Sequence, residues 1–143
     1  MKIGDLNMEI KSSSTLPNGS ECQLKMVSLK LKVSESGTPY LLATLEPITE
    51  DPTEMWDYIY HRLFLPMEDD DQRRAAKKVQ ILKEFCEKFN IDFDELVKYV
   101  YETEGNSEAP RFSPSTPLET PTARVKIAIY EGIESNAIQR WVD

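Results

Sequence analysis

The 143-residue chain carries 17 lysines and arginines against 25 aspartates and glutamates, a formal charge of −8, so the body as a whole repels polyanions and any phosphate contact must come from a local gathering of cations. One histidine and two cysteines exclude histidine-rich metal clusters and leave His61 as the sole histidine for acid–base work, while Cys22 and Cys86, in apolar-periodic segments without a second ligand nearby, read as buried free thiols. No stretch approaches the roughly 20 apolar residues of a membrane span, and Met1 to Asn7 lacks the basic-then-apolar order of a secretory signal, so a single soluble domain in the cytoplasm is expected.

Pro17-Asn18-Gly19 signals a turn, and an alternating strand follows it. Its phase shifts midway: Cys22, Leu24 and Met26 share one parity and Val27, Leu29, Leu31 and Val33 the other, as an inserted residue near Met26-Val27 produces. Ser34-Glu35-Ser36-Gly37 turns the chain into a second strand, Tyr40 to Leu45. Pro47, Asp51 and Pro52 break it before a third strand, Met55 to Leu65, closed by Pro66.

The carboxylates of Glu68 to Asp71 suit a helix N-terminus. Ala75, Val79, Leu82, Cys86 and Phe89 then form an apolar stripe that stops at Asn90. Asp92 and Glu95 have capping-box spacing, which starts a second helix reaching about Tyr101. Residues 102 to 122, with Pro110, Pro114, Pro117 and Pro121, lose all periodicity and read as a mobile loop or insertion. From Ala123 a fourth strand places Val125, Ile127 and Ile129 on one face, Glu131-Gly132 turns, and Asn136 to Val142 is the fifth.

The order β-β-β-α-α-β-β, mainly β with α and with a long proline-rich loop before strand four, predicts one domain over 1–143: a five-stranded Greek-key barrel of the oligonucleotide-binding (OB) type with the helix at one end. Along the third strand, Trp56, Tyr58, Tyr60 and Arg62 share one face, and Ile59, His61, Leu63 and Leu65 share the other. If the aliphatic side closes the core, the rings face outward beside Tyr40. Lys30 and Lys32 on strand one and Arg124 and Lys126 on strand four point the same way. Rings that stack unpaired bases, beside cations that follow the backbone, are the recurrent design of sequence-tolerant single-strand binders. Each part has a plainer use, since aromatic stripes also pack cores and alternating lysines also solvate sheet edges.

The segments Leu16-Pro17-Asn18-Gly19, Lys25 to Val33, Ser36-Gly37-Thr38-Pro39-Tyr40-Leu41, Trp56 to Pro66, Phe85 to Asp92 and Asn136-Ala137-Ile138-Gln139-Arg140 together resemble bacteriophage-encoded OB-fold single-stranded DNA-binding proteins. The resemblance spans most of the chain except 102–122, where the family has a short glycine-containing link. It implies a non-catalytic viral protein that coats single strands during DNA replication, recombination or repair in a bacterial host. The implied partners are single-stranded DNA and replication or recombination proteins, with homodimerisation and RNA binding left open, and with no cofactor, metal or membrane. A nucleophile with its base, a metal cluster or a phosphate-cradling glycine loop would argue for an enzyme, and none is legible. The competing reading is an acidic protein-interaction module of a phage replication complex, without direct nucleic-acid contact.

Overall fold

A computed structural model describes residues 14–51, 53–106 and 108–142; the Met1 to Asn7 stretch and the break at Pro52 lie outside them. Gly19, at φ 87°, turns the chain after Pro17, with the Ser20 amide donating to the Pro17 carbonyl. Strand β1 (Glu21–Val33) follows. Its register shifts between Met26 and Ser28, so Val27 is the extra residue and is exposed, while Leu24, Met26, Leu29 and Leu31 all reach the core. The change of parity in the sequence is this bulge, which lets one strand keep a single buried face through a bend.

Glu21 to Gln23 of β1 pair with β4 (Thr122–Tyr130) and Leu24 to Val33 with β2 (Pro39–Pro47), which in turn pairs with β3 (Ile59–Phe64). Strand β5 (Ile133–Val142) pairs with β4. All pairings are antiparallel, giving one five-stranded sheet in the order β3-β2-β1-β4-β5. The described residues are thus mainly β with two helices. Strands β3 and β5 are the outer strands of that order, and they approach each other through His61 and Trp141, whose rings meet edge-on at 6.0 Å.

Two expected boundaries move. The third strand starts at Ile59 rather than Met55, because the preceding residues take a different partner: Trp56 forms an isolated bridge with Ser14, and the Asp57 amide donates to the Ser14 carbonyl. The fifth strand starts at Ile133, directly after a two-residue turn in which Glu131 and Gly132 both have positive φ (51° and 78°), the requirement of the turn that best matches strand twist.

Helix α1 (Gln72–Phe89) is capped by the Asp71 carboxylate, which accepts from the Arg74 amide, and ends at Asn90 in the left-handed conformation. Leu82, Phe85, Cys86 and Phe89 are buried against the sheet, whereas Ala75 and Val79 at the start of the stripe are only half-buried. Phe85, Phe89, His61 and Trp141 form one ring cluster, with Phe85 and Phe89 4.7 Å apart and Phe89 5.5 Å from Trp141. Full burial of each Phe contributes about 1.5–3 kcal/mol, so the helix holds the meeting of β3 and β5.

Helix α2 (Phe93–Thr103) is capped by Asp92, which accepts from the Asp94 and Glu95 amides. Glu95 does not reach back to complete a capping box; its carboxylate takes the Ser115 amide and hydroxyl instead. Residues 104–106 and 108–121 hold no helix or strand, yet they are tied to the body. Phe112 is buried and its amide donates to the Leu29 carbonyl at 2.8 Å, and the Glu119 amide donates to the Phe89 carbonyl at 3.0 Å. Both cysteines are free thiols. Cys86 is buried, and burial with nearby Asp92 pushes its thiol up to about 11, whereas Cys22 is half-buried and its thiol is raised by burial.

Candidate nucleic-acid interface

The ladders decide which side chains stand together. Directly opposed residues in adjacent strands share a face with Cβ atoms about 4.5–5.5 Å apart. The registers align Leu31 with Leu41 and Leu63, and Leu29 with Ala43 and His61, a face that is buried apart from half-buried His61. The other face therefore looks outward. There the same registers align Lys32 with Tyr40 and Phe64, Lys30 with Leu42 and Arg62, and Ser28 with Thr44 and Tyr60.

Tyr60 keeps 56 % of its surface exposed and Phe64 46 %, so each ring has area to offer an incoming flat group. Tyr40 is half-buried because Phe64 leans on it at 5.9 Å and the Arg62 guanidinium lies over it, 5.8 Å from the ring centre. That contact orders Arg62 without neutralising it. Tyr58 is exposed one residue before β3 begins, extending the ring series.

The expectation that Trp56 belongs to this series fails. It precedes the laddered part of the strand, is half-buried and packs against the hydrophobic core, where a large ring gains more from burial than from exposure. Trp141 also faces inward, in the cluster with His61 and Phe89.

On the other half of the sheet, Arg124 and Lys126 point outward between buried Ala123 and Val125. Lys126 is exposed. Arg124 is half-buried, donates from Nη2 to Glu21 at 2.9 Å, and has a solvent-shielded Nε–H that lacks an acceptor among the described residues. Arg140 stands opposite Arg124 in the register and adds an exposed cation that the sequence reading did not single out.

Phe64 was also missed, although its parity with Tyr60 and Arg62 was legible. A third missed feature needs the tertiary fold. Beyond the edge of β3, Arg62 and Phe64 meet Arg74, Lys78 and Ile81 of α1 around a cavity of about 330 Å³. Lys78 is committed there: its Nζ donates to Asp70 at 2.7 Å, and this bond holds the Asp70 carboxyl below its usual range. Arg62 and Arg74 supply the cavity's other positive charge.

No family model, curated protein or solved structure matches the chain. The chemistry must be read from the surface itself. Among the described residues no three His, Cys, Asp or Glu side chains gather as a metal site, and no helix is long and apolar enough to cross a membrane. His61 lies between Phe85 and Trp141, stacked on the former at 6.0 Å, and burial lowers its pKa, so its ring is a packing element. The outward face offers rings, an ordered guanidinium and spaced ammonium groups: a surface for stacking and anion contact.

Proposed function

We propose that this chain binds single-stranded DNA with little sequence preference on the outward face of its sheet, as an OB-type barrel serving phage DNA replication, recombination or repair. The strand order, the helices between β3 and β4, and the approach of β3 to β5 through His61 and Trp141 support the OB reading, since an OB barrel brings these two strands together. The observation that carries the functional reading is the cross-strand alignment of Lys32, Tyr40 and Phe64 beside Lys30, Leu42 and Arg62. Bases stack on Tyr60 and Phe64, phosphates lie along Lys30 and Lys32, and Arg62 does either. The strand's path continues over the β3 edge toward Arg74, or across the sheet toward Lys126 and Arg140.

Fluorescence anisotropy of a labelled oligo-dT tests this at low salt. Intrinsic tryptophan quenching is a poor readout, because both tryptophans contact the core. Tyr60→Ala and Phe64→Ala should each weaken binding by about 1–3 kcal/mol with an unchanged circular dichroism spectrum. Absence of wild-type binding, or wild-type affinity in both variants, would overturn the reading.

A further inference from the structure

On a different side of the molecule, α1, α2 and the turn between β1 and β2 enclose a groove of about 870 Å³. One wall is a regular helical stripe. Phe93, Leu96, Val97, Val100 and Tyr101 of α2 line it at intervals of three, four, seven and eight residues, the pattern of a helix face made for an apolar neighbour. Of these only Leu96 is buried by the chain itself, and Tyr101 is 73 % exposed. The facing wall offers half-buried Met67 and Val79 and the exposed Val33.

The polar lining has one sign. Among the described residues, every charged side chain that lines the groove is a carboxylate, namely Glu68, Asp69 and Glu104. Two cations stand nearby: Lys83 lies over Phe93 at 5.2 Å, at the N-terminal end of α2, and Lys78, 3.5 Å from the carbonyl of the lining residue Leu65, is paired with Asp70. A nucleic-acid strand is repelled by such a rim. A helix with an apolar stripe and cationic flanks satisfies both parts at once, burying the stripe along α2 and setting its charges against the carboxylates.

We propose that this groove docks a basic amphipathic helix of a partner protein, leaving the outward sheet face free. The site is independent of whether that face binds DNA.

The probe is a labelled peptide of about 15 residues with leucines at helical spacing and lysines elsewhere, titrated against the full chain. A shuffled peptide of the same composition without the stripe serves as comparison. The designed peptide should bind saturably, and the shuffled one about tenfold or more weaker. Tyr101→Asp, at an exposed position, and the Glu68→Lys/Asp69→Lys pair should each weaken binding about tenfold. The remote pair Glu50→Lys/Glu54→Lys makes the same change in net charge and should have less than about a twofold effect. Equal binding of the shuffled peptide, or equal losses from the two charge-reversed pairs, would overturn the proposal.

Discussion

His61 illustrates how much a single ring carries in a small core. It is the only histidine, and its contacts with Phe85 and Trp141 make it part of the apolar cluster between β3, β5 and α1. Desolvation there disfavours the imidazolium and lowers the pKa from its ordinary 6.5. Unfolding restores the ordinary value, so the unfolded chain binds the proton more readily. Stability from neutral His61 is therefore complete above the unfolded pKa and is lost as pH falls through 6.5 toward the lowered folded value. One proton limits the slope to about 1.4 kcal/mol per pH unit. Urea denaturation between about pH 7.5 and about pH 5.5 should show wild type losing more stability than His61→Phe. Carboxylates titrate in both proteins, so parallel losses would place the imidazole in water.

The elements show where local sequence decides structure and where it yields. The bulge at Val27, the Asp71 and Asp92 caps and the stop at Asn90 were legible because each depends on a few neighbouring residues: a change of parity, a carboxylate before a helix, an asparagine that tolerates left-handed backbone. Trp56 was misplaced for the opposite reason. Its parity matched the strand, but its pairing with Ser14 is a long-range choice that alternation does not encode. The proline-rich segment was legible as lacking helix and strand over its described residues between Glu104 and Pro121, though helix α2 runs on to Thr103 and β4 begins at Thr122, and its contacts were not legible. Among the described residues strand β1 pairs with β4 only over Glu21 to Gln23, which leaves the rest of its backbone without a partner strand on that side. The Phe112 amide takes the Leu29 carbonyl, and the Tyr99 hydroxyl accepts from the Leu31 amide at 3.0 Å while donating to the Pro110 carbonyl. Loop and tyrosine together stand in for a strand, which covers an edge that would otherwise pair with another chain. Tyr99→Phe keeps the ring contact with Phe112 but orphans the Leu31 N–H and the Pro110 carbonyl. It should cost about 1–3 kcal/mol in chemical denaturation. A variant as stable as wild type would mean that water replaces the hydroxyl.

At the scale of the whole molecule, the proposed DNA binding requires a body of charge −8 to attract a polyanion. Segregation answers it. Lys30, Lys32, Arg62, Lys126 and Arg140 stand on the outward sheet face, where the registers also place Lys25 opposite Glu46 and Arg124 opposite Glu21. The carboxylates Glu68, Asp69 and Glu104 line the groove beside α2 instead. Attraction then acts over a Debye length of roughly 8–10 Å, short enough for the face to dominate over the net charge at physiological salt. Each phosphate neutralised on a single strand contributes about −0.7 to the slope of log K against log salt. Replacing Lys30, Lys32 or Arg62 by alanine should make that slope shallower by about 0.7 each. Arg124→Ala should change it less, because Glu21 already compensates that charge. Glu21→Gln should steepen the slope by releasing Arg124 to the strand. Slopes measured by anisotropy over a salt series decide this: a slope indifferent to Lys30, Lys32 and Arg62 would move the contact off this face, whatever the affinity.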